Sequence, residues 1–148
     1  MLEMTRAECA VALSSHNIGR VCVVEDGYPI AIPVTYRMVA RGDDCAPDDE
    51  LIIVFRTRPG SVVDFPGHLV GFQIDGIDQM TETGWSVLAR GQLCDGSAED
   101  APTWLRAWDP HPWISDRDTW LYIRVEGLSG RRLTKTVREW AFEIRGYL

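Results

Sequence analysis

The chain has 148 residues, 45% of them hydrophobic, enough for one buried core without disulfide or metal support. Its net charge of −7 comes from 22 acids against 15 bases, and with Lys135 the single lysine the other bases are all arginine; such a surface repels phosphate backbones and argues against nucleic-acid binding. No apolar run approaches the roughly 20 residues of a membrane helix, and Met1-Leu2-Glu3-Met4-Thr5 lacks a basic region followed by an apolar one, so one soluble, cytoplasmic domain over 1–148 is expected.

Thr5-Arg6-Ala7-Glu8 has the capping-box spacing, in which the threonine hydroxyl and the glutamate three residues on satisfy each other's free N–H groups; it predicts a short helix over 6–15. Val21-Cys22-Val23-Val24 then lead to Asp26-Gly27, where glycine takes the positive φ of a type I′ hairpin, so strands over 18–25 and 28–39 are antiparallel neighbours. Pro29 and Pro33 cannot donate to a ladder, so the second strand lies at an edge, carries a bulge or borders a ligand. A polar loop with Gly42 and Pro47 follows. Leu51-Ile52-Ile53-Val54-Phe55 is a continuous apolar run of strand length, and a central strand over 50–57 buried on both faces is expected.

That strand ends in Arg56-Thr57-Arg58-Pro59-Gly60-Ser61. Exposed N–H groups at such a turn, with arginines beside them, suit a phosphate; an ordinary connection with solvated arginines has the same composition. Strands over 69–75 and 84–93 form the next pair, the latter carrying Gly84-Trp85-Ser86-Val87-Leu88-Ala89-Arg90-Gly91. A helix is expected over 98–108, with Glu99 and Asp100 in its first turn where the helix dipole favours them, before Asp109-Pro110-His111-Pro112-Trp113 breaks it. Thr119-Trp120-Leu121-Tyr122-Ile123-Arg124-Val125 reads as a last strand. In 133–148, Leu133, Val137, Trp140, Ala141, Ile144 and Leu148 fit a helical stripe while Trp140, Phe142 and Ile144 fit strand alternation; the helix is the expectation.

Cys9, Cys22, Cys45 and Cys94 form no C-x-x-C pair and read as reduced thiols, and His16, His68 and His111 stand alone. With no H-E-x-x-H, G-x-S-x-G or G-x-x-x-x-G-K motif, zinc-protease, serine-hydrolase and P-loop chemistry are disfavoured. The residues name no catalytic group and no metal site.

Five segments carry a resemblance: Ile18-Gly19-Arg20; Gly27-Tyr28-Pro29 with Pro33-Val34-Thr35-Tyr36; Phe55-Arg56-Thr57 with Pro59-Gly60-Ser61; Gly84-Trp85-Ser86-Val87 with Arg90-Gly91; and Gly130-Arg131-Arg132. In this order the chain resembles the pyridoxamine 5′-phosphate oxidase-like, FMN-binding split-barrel family, most of all its small bacterial flavin-nucleotide-binding branch. The resemblance implies a mainly β, α+β fold with short helices, a six-stranded antiparallel split barrel. It also implies a homodimer with two FMN sites at the interface, each lined by both chains. By the same resemblance Pro33, Val34 and Tyr36 lie along the flavin, the turn with Arg56, Thr57, Arg58 and Ser61 holds its phosphate, and Trp85, Ser86 and Val87 complete the pocket.

The chain departs from the family pattern at Val62, where relatives place a basic residue against the phosphate. Losing that charge-assisted bond costs about ten- to a hundredfold in affinity, unless Arg56 or Arg58 substitutes. FMN binding, binding of the deazaflavin F420, and a cofactor-free dimer all stay open. The leading expectation is an FMN-dependent oxidoreductase with a nicotinamide donor, in which the cofactor supplies the chemistry. It is not a true pyridoxamine phosphate oxidase, since Arg131-Arg132-Leu133-Thr134 lacks the accompanying histidine. A non-catalytic flavin or haem carrier is the alternative, with the three histidines as the only axial ligands. Trp113 and Trp120 are candidates for the wall over the ring.

Overall fold

A computed structural model describes residues 1–41, 50–61, 64 and 66–134. Seven strands and two short helical segments follow one another: β1 (Leu2–Met4), α1 (Arg6–Ser15), β2 (Ile18–Glu25), β3 (Tyr28–Arg41), β4 (Glu50–Thr57), β5 (Leu69–Asp78), β6 (Thr83–Asp95), a 3₁₀ helix (Thr103–Trp108) and β7 (Thr119–Leu133). All pairings are antiparallel and run β1-β7-β4-β3-β2-β5-β6, and β6 pairs again with β7. The ring therefore closes through six strands, with β1 laid outside it along the end of β7. This is the expected mainly β split barrel with short helices.

Local chemistry sets the elements. Thr5 and Glu8 form the reciprocal capping box, with Thr5 N–H donating to Glu8 Oε2 at 2.7 Å and Glu8 N–H donating to Thr5 Oγ1 at 3.2 Å. Asp26 and Gly27 have φ of 50° and 80°, the two positive values of a type I′ turn. β4 is buried from Leu51 to Phe55 because each face has its own cover. Ile53 and Phe55 join Val21, Tyr36, Phe72, Ile74, Leu121 and Ile123 inside the barrel. Ile52 and Val54 pack outside it with Val39, Leu105, Trp120 and Tyr122.

The structure differs from the sequence expectation in three places. The helix expected over 98–108 contracts to the 3₁₀ segment Thr103–Trp108, because Pro102 disfavours helical backbone at Ala101 and lacks a donor. β7 runs on to Leu133 through Gly127 and Gly130, which hid it from a propensity reading. The ladder shifts there, Arg90 facing Gly127 and Gly91 facing Val125, so Glu126 is the extra residue of a bulge. Gly91 is required at that point, since a Cβ would strike the Arg124 carbonyl oxygen. β1, too short to read from sequence, adds a seventh strand. The helix expected over 133–148 falls outside the described residues except at its start, where Leu133 closes β7.

Candidate functional site

β3 changes partners along its length. From Tyr36 to Arg41 it pairs with β4, but from Tyr28 to Thr35 it pairs with β2 alone among the described residues. Tyr36 N–H donates to the Asn17 carbonyl at 2.9 Å. The two-residue period of a strand then turns Val34, Ile32 and Ile30 N–H towards β2, and directs the carbonyls of Pro29, Ala31 and Pro33 to the open side. Both prolines occupy positions whose N–H would have no ladder partner, which is why this strand tolerates them.

A cleft of about 390 Å³ lies beside this open edge. Ile18, Ile32, Pro33, Val34 and Thr35 form one side; Arg56, Thr57, Arg58 and Ser61 form another; Pro112, Trp113, Ile114 and Arg117 form the third. The volume lies within the range usual for small-molecule sites, and an apolar floor with a few polar groups at its rim is the usual composition.

Six of the residues expected from sequence meet here: Pro33, Val34, Arg56, Thr57, Arg58 and Ser61. Tyr36 does not line the cleft. It shares the inward parity of Ile32 and Val34 but sits where β4 closes over it, so it is fully buried, donates its hydroxyl to the Leu13 carbonyl at 2.7 Å and stacks edge-on with Phe72 at 4.8 Å. Burial pushes the Tyr36 phenol well above its ordinary range, and it stays neutral. Val87 is also fully buried in the core. Trp85 lines a different groove, with Gly76, Ile77 and Leu133, its ring 4.9 Å from that of His16. Ser86 pairs with Asp75 and Arg131 in its ladders. Val62 falls outside the described residues.

A turn follows β4 at Pro59-Gly60. Ser61 N–H donates to the Arg58 carbonyl at 3.1 Å, and Gly60 has φ +71°, which with Pro59 before it makes a type II turn. Gly60 N–H already donates to Asp64 Oδ2 at 3.2 Å, however, so a carboxylate stands where an anion would be received.

The three arginines at the cleft differ in what holds them. Arg117 pairs with Asp116 at 3.1 Å. Arg56 donates through Nε to the Arg117 carbonyl at 2.8 Å and through Nη1 to both Asp109 oxygens at 3.1 and 3.2 Å, and its Nη2 stands 3.7 Å from Asp118. Its guanidinium also lies 5.1 Å over the Trp120 ring, which places Trp120 in the outer layer and away from the cleft. Burial raises the Asp109 carboxyl, but the His111 N–H and the Arg56 guanidinium outweigh it and hold that group below its ordinary range. Among the described residues Arg58 has no ion-pair partner, and its side chain is exposed.

Sequence reasoning missed Ile18, Ile32 and Thr35 as lining residues, and missed the third wall except Trp113. The parity of Ile32 with Val34 was the available signal for the first group; Pro110 and Pro112, which stiffen the segment before Trp113, were the signal for the second. Among the described residues no three His, Cys, Asp or Glu side chains could hold a metal ion, and no helix is long and apolar enough to cross a membrane. Cys9, Cys22 and Cys94 are free thiols, each pushed up in pKa chiefly by burial, which lowers their reactivity.

Residues 5–132 match the family model described as pyridoxamine 5′-phosphate oxidase. Among solved structures, the FAD binding protein from Mycobacterium smegmatis is 21% identical with a TM-score of 0.67, the match covering 90% of this chain and all of that one. A conserved protein of unknown function from Corynebacterium diphtheriae aligns with a TM-score of 0.71 at 21% identity, over 90% of this chain and 98% of that one. The FAD and heme binding protein from M. smegmatis aligns with a TM-score of 0.62 at 16% identity, over 95% of this chain and 79% of that one. No protein of curated function matches the chain.

Proposed function

Because the chain belongs to the pyridoxamine 5′-phosphate oxidase family, we propose that it is a flavin-nucleotide-binding protein that holds its cofactor in the cleft beside β3 and works as an oxidoreductase with a nicotinamide donor. The observation that carries this reading is the open edge of β3, with carbonyls at Ala31 and Pro33, over an apolar floor of Ile18, Ile32 and Val34. A planar heterocycle with donors on its edge and apolar faces suits that combination. A flavin supplies hydride and electron transfer; the chain's own residues bind it, orient it and exclude water.

FAD is the flavin nucleotide proposed, in preference to FMN. The terminal phosphate of FMN and the two-phosphate bridge of FAD each bring about two negative charges at neutral pH, so either needs cationic partners. Arg58 is the one cleft arginine without an ion pair among the described residues, and the Gly60 N–H faces Asp64. The two relatives named as FAD-binding support the choice of FAD. A second copy of the chain completes the site in this reading: Trp113 and Ile114 stand exposed at the cleft, and Trp85 and Ser86 lie on another part of the same chain. Pyridoxamine phosphate is not the substrate.

Titration of the purified protein with FAD, FMN, riboflavin, F420 and haem, followed by flavin fluorescence and visible absorbance, tests the reading. Saturable flavin binding with FAD tighter than FMN, a particle of twice the 16.7 kDa chain by light scattering, and NADH or NADPH oxidation by the loaded protein are expected. Uptake of haem or F420 in place of flavin would overturn it.

A further inference from the structure

We infer that Arg56 is a positioning residue: with Asp109 it fastens both ends of the segment 109–118, so that Trp113 stands as a fixed wall against the ring of the bound cofactor, and Arg56 itself does not hold the phosphate. The inference rests on the flavin reading of the cleft and assigns roles within it.

Arg56 spends its donors on the segment. Nη1 grips Asp109 at the segment's start with two bonds, while Nε and Nη2 reach the Arg117 carbonyl and Asp118 at its end. A planar guanidinium holds a carboxylate and a carbonyl in one fixed arrangement, which a lysine ammonium does not reproduce. Asp109 passes the constraint on. Its Oδ1 accepts the His111 N–H at 2.9 Å, and His111 has φ +50°, a left-handed backbone uncommon for residues other than glycine. That bend sets the direction of the chain into Pro112, Trp113 and Ile114. Pro110, buried, pins the same stretch from behind.

The product of these ties is unusual. Trp113 is 80% exposed and Ile114 56% exposed, yet both line a cleft and belong to a segment held at both ends. A large indole ring exposed over an opening, on a segment tied at both ends, gains its apolar contact only when a flat partner enters, and aromatic rings pair in this way with a gain beyond area alone. Pulling Arg56 onto a phosphate would strand Asp109 and Asp118 beside the incoming anion, which would repel it.

The test compares Arg56→Lys, Asp109→Asn, the double variant and Trp113→Ala. Hydrogen exchange is measured on ligand-free protein, and binding is measured with riboflavin, which has no phosphate, and with FMN. Faster exchange confined to 109–118 is expected in the first three variants and not in Trp113→Ala. All four should lose about tenfold in affinity, by the same factor for riboflavin as for FMN, with the double variant no weaker than the weaker single. Arg56→Lys that weakens FMN and spares riboflavin, or Asp109→Asn that tightens FMN, would overturn the inference. Wild-type protein that takes up no flavin would sink the flavin reading, and unchanged exchange in Arg56→Lys and Asp109→Asn would separately sink the clamp.

Discussion

The inward and outward faces of β4 are both buried, but by different means. Inside, Ile53 and Phe55 are surrounded by side chains from strands around the whole closed ring. Outside, Ile52 and Val54 depend on one short cover, the 3₁₀ helix with Trp104, Leu105 and Trp108, together with Trp120 and Tyr122. Arginines finish that outer layer: Arg37 lies over Trp108 at 5.2 Å, Arg41 over Trp104 at 4.8 Å and Arg106 over Trp120 at 4.3 Å. The inner face is thus a cooperative core, whereas the outer face is a local patch whose last two outward residues, Arg56 and Arg58, reach the cleft. Arg56 lies under the cover and Arg58 beyond it, so strand parity alone does not decide which arginine a ligand can use.

Substitutions on the two faces should separate them. Phe55→Ala removes a fully buried ring from the closed barrel and should cost about 3–5 kcal/mol, read as a lower midpoint in chemical denaturation. Leu105→Ala opens a gap under the outer cover, which can settle into it, and about 2–3 kcal/mol is expected; a loss equal to that of Phe55→Ala would show the outer layer to be as cooperative as the core. Arg58→Ala should leave stability unchanged and lower affinity for FMN about tenfold or more while sparing riboflavin, the opposite of the signature expected at Arg56. Tyr36→Phe leaves the Leu13 carbonyl without its buried donor, and about 1 kcal/mol should be lost.

The last substitution also has a pH signature. Burial raises the folded-state pKa of Tyr36 above the unfolded value, so its contribution is fully present below about pH 10 and is lost as pH rises beyond that. Tyr36→Phe should therefore flatten the alkaline limb of a stability profile, and a limb unchanged by the substitution would show that another group carries it.

Much of the fold was legible because its signals are local. The capping box at Thr5 and Glu8, the turn at Asp26 and Gly27 and the apolar run from Leu51 to Phe55 each act within a few residues. Pro33 correctly marked an edge next to a cleft. What escaped depends on distant partners. Tyr36 follows Pro33 and Val34 in sequence, yet β4 covers it and leaves them open. Arg56 and Arg58 look equivalent until Asp109, 53 residues away from Arg56, takes one of them. β7 beyond Val125 contains glycines that argue against a strand, and its ladders with β6 and β1 override them.

The two prolines of β3 also bear on how the protein behaves in a crowded solution. An unpaired strand edge is a template on which another chain can add itself, and long exposed edges are a common origin of aggregation and strand exchange. Pro29 and Pro33 remove every second outward donor from this edge and leave Ala31 as the lone N–H between them. A ligand that brings its own donor can still use the carbonyls, but an incoming strand, which needs donors and acceptors in alternation, finds the pattern interrupted. The edge is therefore accessible to a small heterocycle while resisting polymerisation.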